Sequence, residues 1–473
     1  MNSFVFLALS SFLLSLFLTP LVRNIALHFG FVDKPDDHRK THKIPIPRLG
    51  GVAIFAATVC AYILFLIVGF NASPIVRSGF PFALRLLPAI AVIFCVGLLD
   101  DIVGLRPWHK LSAQVVAALL AWASGIHLST IGGFQFPAVV SFVITIAWII
   151  ACSNAVNLID GVDGLAVGVG LFATITTLIA GLLHGNMDLV FATAPLAGAL
   201  LGFLRFNFNP ASIFLGDCGS LTLGFLLGCF GIVWSEKSTT MLSMTAPLLA
   251  LSVPLIDTSI SVVRRFIRKQ PIFDADQSHI HHKLLAQGFT PRRVVLTLYG
   301  FCGLAAAASV MLTTTQPRYH GFVLILVCLS VWLGLQHLGY NEFGVAGRLA
   351  MGGAFRDLLS AQLDLIAFEQ ELLEADTIQK CWELLCRGCY KFGFAGIKLG
   401  LDRTYSFGDV SGNWSVRIDL PGHGHIDLIR ASGATDRGAV SVLFVDCISS
   451  RLQNKLDEFS LIHHELPVYE NTD

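Results

Sequence analysis

The sequence predicts a polytopic all-α membrane protein of about eleven transmembrane helices, followed by a C-terminal soluble α/β domain. Three observations carry that reading. Of 473 residues, 54% are hydrophobic and only 14% charged, where soluble domains carry roughly a quarter. Mean hydropathy is +0.69. Apolar runs long enough to cross a hydrocarbon core of about 30 Å recur along the first 340 residues and then stop.

The runs fall at 3–22, 49–69, 82–99, 110–128, 138–156, 162–183, 188–205, 213–234, 244–263, 293–314 and 319–339. The first lacks a basic leader, since its first cation, Arg23, follows it. It therefore reads as an uncleaved helix rather than a signal peptide. With the N-terminus outside, the inner connections hold sixteen Lys and Arg and the outer ones four. By the excess of cations on the cytoplasmic side, the N-terminus faces out and the C-terminus lies in the cytosol.

Residues 341–473 form a second domain of unknown role. An amphipathic helix is expected over 356–390, strands at 397–399, 414–420, 425–429 and 440–444, and a further helix from 448 to 462. Cys381, Cys386 and Cys389 match one iron–sulfur spacing, but a helix that merely carries three cysteines is the plainer reading. Lys+Arg and Asp+Glu balance at 32 each, so no basic surplus argues for nucleic acid.

Polar residues are scarce before residue 340, and they gather in five clusters. The first is Asp36, Asp37, His38, Arg39 and Lys40, followed by Arg48, Gly50 and Gly51. The second is Asp100 and Asp101, with Lys110 downstream. The third runs Asn154, Asn157, Asp160, Asp163 in the pattern N-x-x-N-x-x-D-G-x-D-G. The fourth joins Asn207 and Asn209 to Phe214, Gly216, Asp217, Gly219 and Ser220. The fifth joins Arg264, Arg265, Arg268 and Lys269 to His279, His281, His282 and Lys283.

The topology drawn from cations alone puts all five clusters on the cytosolic face. Ionisable groups at helix ends in a membrane are costly and mark function. Paired carboxylates there suit a hard divalent cation, Mg²⁺ or Mn²⁺. Asp217 stands at a helix start, ordinarily an anion site, where a carboxylate needs a cation between it and a phosphate. H-x-H-H lacks the fourth ligand of a closed zinc site and reads better as a clamp for phosphate or sugar. Asp257, inside an apolar run, is either functional or a structural hydrogen-bonding group.

In order and spacing these clusters resemble the polyprenyl-phosphate N-acetylhexosamine-1-phosphate transferases, over about residues 20–300. The resemblance implies an aspartate pair near the lipid phosphate (Asp100, Asp101), a lysine on the diphosphate (Lys110) and Mg²⁺ ligands (Asn157, Asp217). It further implies uracil contacts at Asp163 and Phe214, with Asn154 and Asp160 in the same substrate-binding stretch. His279, His281, His282, Arg264 and Arg265 would recognise the sugar nucleotide. H-I-H-H and the stretch Pro254 to Arg265 look like the undecaprenyl-phosphate GlcNAc-1-phosphate type, whereas Ser212 and Gln277 depart from it. The order of helices and strands after residue 341 resembles a GAF-like domain.

The implied reaction moves N-acetylhexosamine-1-phosphate, GlcNAc-1-phosphate above all, from a UDP-N-acetylhexosamine to polyprenyl phosphate. UMP leaves, and the product begins cell-surface polysaccharide assembly in a bacterial inner membrane, with a homodimer as an assembly this allows. One-step and two-step routes both remain open. A transporter or flippase of lipid-linked anions would need polar groups at mid-membrane and on both faces. A membrane sensor with its output in 341–473 would leave the five clusters without a role.

Overall fold

A computed structural model describes residues 2–33, 45–69, 73–131, 134–237, 249–267, 279–314, 319–337, 355–400, 404–409, 414–421, 424–430 and 438–460. Asp36, Asp37, His38, Arg39, Lys40, Arg268, Lys269 and Gln277 lie outside the described residues. The chain divides into two compact units, residues 1–262 with 273–339, and residues 263–272 with 340–473.

The first unit is helical: α1 (Asn2–Phe29), α2 (Gly50–Val68), α3 (Ser73–Val103), α4 (Pro107–Ala123), α5 (Ala138–Ile159), α6 (Leu165–Leu183), α7 (Met187–Asn207), α8 (Gly216–Lys237), α9 (Ser252–Ile267, of which residues 263–267 fall in the second unit), α10 (Ile280–Ala286), α11 (Pro291–Thr314) and α12 (His320–His337). Among the described residues, eight helices are long and apolar enough to cross a membrane, namely α1, α2, α3, α5, α6, α7, α8 and α11. The other three expected runs are also helical. They are α4 at 17 residues, α9 at 16 residues and α12 at 18 residues, whose apolar stretch His320–Ser330 is shorter.

Two short antiparallel pairs interrupt the helices, β1 (Val32–Asp33) with β2 (Ile46–Pro47), and β3 (Thr130–Ile131) with β4 (Phe134–Gln135). Arg48 pairs with buried Asp33 and ties the base of the first hairpin. The strand end then joins the start of α8. Phe214 N–H donates to the Pro47 carbonyl at 2.7 Å, Gly50 N–H to the Phe214 carbonyl at 3.0 Å and Gly51 N–H to the Leu215 carbonyl at 2.8 Å.

Close approach of backbones sets the packing around α8. A Cβ on Gly51 would lie 2.3 Å from the Gly219 nitrogen, and one on Gly97 would lie 2.6 Å from the Asp217 carbonyl. Glycine at those two positions lets α2 and α3 press directly on the first turn of α8. On the α5 side, Ser153 Oγ donates to the Leu221 carbonyl at 2.9 Å and Trp148 Nε1 to the Gly228 carbonyl at 3.0 Å. Apolar residues of α3, α4, α5 and α8, including Ile93, Ala117, Ile149 and Phe225, form the core between these contacts.

The second unit contains α13 (Phe355–Leu373), α14 (Ile378–Lys391), α15 (Gly438–Ser460) and a four-stranded antiparallel sheet. Its strands are β5 (Gly396–Gly400), β6 (Thr404–Gly408), β7 (Trp414–Leu420) and β8 (Gly424–Arg430), in the order β6-β5-β8-β7. Three sequence expectations are corrected. The single helix over 356–390 is two, because Thr377 accepts from Lys380 N–H and starts a new one. The expected strand at 440–444 belongs to α15, where Phe444, Ile448, Leu452 and Leu456 recur every fourth residue and are buried. Strand β6 was not anticipated, since it is a mostly exposed edge with little apolar alternation.

The three cysteines at 381, 386 and 389 lie buried in the core of this unit with Phe392 and Phe444. Burial pushes each thiol up to about 12, so they are packing groups there. All eleven cysteines are free thiols.

One seam tests the packing of the first unit. A Cβ on Gly198 of α7 would fall 2.0 Å from the Ala8 carbonyl of α1, whereas one on Gly300 of α11 meets nothing within 4 Å. Gly198→Val should destabilise by about 1–3 kcal/mol through overpacking. Gly300→Ala should leave the melting temperature unchanged or raised. Thermal unfolding of both in detergent measures the difference, and equal midpoints would contradict the described α1–α7 contact.

Candidate active site

The carboxylates at the end of α3 turn in different directions. Asp101 Oδ1 accepts the Asp217 N–H at 2.8 Å, and its Oδ2 accepts the Cys218 N–H at 3.0 Å. Both donors are orphaned amides at the start of α8. Asp101 is therefore an N-terminal cap supplied from another helix, favoured also by the positive end of the helix dipole. Gly216 makes the turn into α8 with φ +75°, and a Cβ there would also strike the Arg48 carbonyl and the Asp101 carboxylate. Only glycine satisfies both conditions.

Asp100 faces the other way. Its Oδ1 accepts the Leu105 N–H at 2.6 Å, and its Oδ2 accepts from Lys110 Nζ at 2.8 Å. The same Nζ donates to Asp217 Oδ2 at 2.6 Å. One ammonium thus bridges two carboxylates from α3 and α8, and all three side chains are partly buried. Charge-assisted hydrogen bonds of this length are strong.

The N-x-x-N-x-x-D-G-x-D-G stretch closes α5 and leads into α6. Asn157 Nδ2 donates to Ser220 Oγ at 2.9 Å, which fixes the amide orientation and turns its oxygen away from Ser220. Ser220 lies one turn after Asp217, so Asn157 and Asp217 share one end of the α5–α8 contact. Asp163 Oδ2 accepts from Asn209 Nδ2 and from the Ala211 N–H, both at 3.0 Å, and so holds the loop that precedes α8. Asn154 is paired with buried Gln114 through both amide groups and also donates to the Ile150 carbonyl. That arrangement explains Asn154 as a structural amide between α4 and α5.

Asp160, at the C-terminal cap of α5, stands within electrostatic range of Asp217, Asp101 and Asp163. Burial, reinforced by those three carboxylates, holds its carboxyl well above the usual range, while Arg48 opposes the shift. Such crowding of acidic groups favours any arrangement that brings in a cation.

A divalent cation fits the donors present. Asp217 has a second oxygen beside the one on Lys110, and Asn157 presents a carbonyl oxygen. Both are hard donors of the kind Mg²⁺ takes, in small number, with substrate phosphates and water completing the shell. Among the described residues, no three His, Cys, Asp or Glu side chains converge to hold a metal by themselves. Phe214, half-buried in the loop before α8, is fixed through its backbone to Pro47 and Gly50.

The H-x-H-H segment begins α10. His279 Nδ1 lies 3.0 Å from Asp257 Oδ2, and the Ile280 N–H donates to Asp257 Oδ1 at 2.8 Å. The His279 and His281 rings are parallel with centroids 5.7 Å apart, and the His281 and His282 centroids are 4.3 Å apart. His281 rests on the third cluster, since a Cβ on Gly161 would fall 2.7 Å from its Nε2. Its Nδ1 is buried without a hydrogen-bond partner among the described residues. Arg264 and Arg265 sit on the last turn of α9.

The structure thus brings together Asp100, Asp101, Lys110 and Asp217 in direct contact, with Asn157, Asp160 and Asp163 beside them. The histidine segment touches that group through Gly161. Sequence reasoning missed Gln114 and gave Ser220 no role. The signal for Gln114 was an amide inside an apolar run, and for Ser220 a hydroxyl one turn beyond Asp217.

The profile of Glycosyl transferase family 4 matches residues 83–235, from α3 through most of α8. The chain is 32% identical over 331 residues to a probable undecaprenyl-phosphate N-acetylglucosaminyl 1-phosphate transferase of Bacillus subtilis, covering 67% of this chain and 87% of that protein. It is 32% identical over 358 residues to the decaprenyl-phosphate N-acetylglucosaminephosphotransferase of Mycolicibacterium smegmatis, covering 69% and 86%. A phospho-N-acetylmuramoyl-pentapeptide-transferase of Streptococcus thermophilus is 33% identical over 214 residues, covering 42% and 62%.

The environment of His281 generates a pH dependence. Burial, with His282 beside it, pushes the imidazole from 6.5 down to about 3. The unfolded chain therefore takes this proton first as pH falls. The associated stability is complete above pH 6.5 and is lost between about 6.5 and 3, with about 2 kcal/mol gone by pH 5. His281→Gln should flatten the fall in melting temperature between pH 7.5 and 5. Identical pH slopes in variant and parent would contradict a buried, neutral His281.

Proposed function

The chain belongs to Glycosyl transferase family 4 together with the N-acetylglucosaminyl 1-phosphate transferases it resembles, and on that footing we propose that it transfers GlcNAc-1-phosphate from UDP-GlcNAc to a polyprenyl phosphate. The products are polyprenyl-diphosphate-GlcNAc and UMP. The single observation that carries the reading is the Asp100–Lys110–Asp217 bridge at the Asp101-capped start of α8. It supports the reading because a cation held between carboxylates is the kind of group an anionic acceptor and a diphosphate require.

The chemistry needs neutralisation and in-line placement more than covalent help. The acceptor phosphate is already an anion at neutral pH. It attacks the phosphorus bearing the sugar, the bond to the UMP oxygen breaks, and the electron pair leaves with UMP. Lys110 would offset charge on the diphosphate. Asp100 orients Lys110, and Asp101 holds the α8 start on which Asp217 stands. Asn157 and Asp217 would hold Mg²⁺ or Mn²⁺, which when bound supplies Lewis-acid stabilisation of the departing phosphate. Phe214, Asp160 and Asp163 would border the nucleotide, and His279, His281 and His282 the sugar-diphosphate.

The protein is a multi-pass membrane protein of bacterial type. The orientation we propose puts the N-terminus outside and the site with residues 341–473 in the cytosol, supported by the distribution of Lys and Arg.

Two experiments test the reaction and the orientation. Purified protein given UDP-GlcNAc, undecaprenyl phosphate and Mg²⁺ should form labelled lipid, and Asp217→Asn should lose at least about 10²-fold in turnover. A folded variant within twofold of the parent would remove Asp217 from the chemistry. In intact cells, a membrane-impermeant thiol reagent should label a cysteine placed at Ser73 but not one at Asp276. External labelling at Asp276 would reverse the orientation.

A further inference from the structure

Asp257 is a carboxylate in α9, a mostly apolar helix, and only 2% of it is exposed. Such a group needs partners for its charge. Both of its oxygens are used on one short segment more than twenty residues ahead. Oδ2 meets His279 Nδ1 at 3.0 Å and Oδ1 accepts the Ile280 N–H, the first amide of α10, at 2.8 Å. His279 is itself 4% exposed, and its ring lies parallel to that of His281.

This geometry constrains the chemistry of His279. A carboxylate has no hydrogen to give, so the nitrogen facing it must be the N–H. In the neutral imidazole the lone pair then sits on Nε2, and the ring plane is set by the same contact. The Ile280 contact fixes where the ring's backbone begins. One acidic group thus sets the tautomer, the ring orientation and the start of the helix that carries His281 and His282.

We propose that Asp257 is a positioning residue for the nucleotide-sugar end of the site: it holds His279 as the Nδ1–H tautomer, so that the Nε2 lone pair is left to accept from a donor on the sugar, a hydroxyl or the acetamido N–H. This rests on the reaction proposed above. Asp257 touches no substrate and acts through His279. Asparagine is nearly isosteric but must turn its NH2 toward one of the two donors, or force His279 to accept at Nδ1 and carry its proton on Nε2. The substitution therefore changes which nitrogen can accept while changing the volume little.

The test uses full-length protein in detergent with Asp257→Asn, His279→Gln and the double variant. Asp257→Asn should lower kcat/KM for UDP-GlcNAc by about 10- to 100-fold, by analogy with the loss when the partner that orients a metal-bound histidine is removed. The KM for undecaprenyl phosphate should stay within twofold. In the His279→Gln background, Asp257→Asn should cost little more, because the two act as a unit. An equal loss with and without His279, or kcat/KM within twofold of the parent in folded Asp257→Asn, would overturn the proposal. Parent protein without transfer activity would count against the reaction itself. The pairing is then read from melting temperatures, where the two substitutions should fail to add, and full additivity would overturn it.

Discussion

The site depends on one contact, the Asp101 carboxylate from the end of α3 closing over the first amides of α8. Helix starts buried in a membrane-embedded unit leave N–H groups that neither lipid nor a neighbouring apolar side chain can satisfy. Here a carboxylate from another helix satisfies two of them, and its charge suits the dipole at that end. Asp217 is therefore held through its own backbone before its side chain does anything. Lys110 reaches it, Asn157 lies beside it through Ser220, and the 45–51 strand end is joined to the preceding loop. Displacing Asp101 would loosen all of these at once.

The same contact divides the labour of the paired aspartates. Adjacent in sequence, they read as one acidic unit. In the structure they are separate instruments, Asp101 facing the α8 backbone and Asp100 facing Lys110. Asp163 and Asn154 likewise spend hydrogen bonds on framework, the first on the 209–211 loop and the second on Gln114. Much of the polar content at this end of the helices keeps loops and helix ends in register.

Most of the helical frame was legible in the sequence because a span is a local property: some twenty apolar residues announce themselves without reference to anything else. The gathering of the second, third and fourth clusters was legible for a related reason, since ionisable groups are too costly in such runs to stand there without a role. What was hidden depends on contacts between distant segments. Nothing local says that Asp257 reaches His279, or that Gly51 and Gly97 are glycines because α8 passes within van der Waals distance. In the second unit, Val440 to Phe444 alternates like a strand yet continues a four-residue spacing into Ile448 and Leu452. The longer period prevailed because it buries one continuous helix face.

Lys110 has a consequence for how such a centre is filled. An ammonium shared by two carboxylates makes the centre its own counter-ion reservoir, so it is never a bare acidic hole at the edge of a bilayer. On the reading proposed above, filling it would be an exchange. A phosphate that draws the ammonium toward itself would release the Asp217 oxygen that Lys110 holds, leaving both oxygens of that carboxylate for a divalent ion. Anion and cation entry would then be thermodynamically linked through a single side chain, each raising the affinity for the other by the same factor.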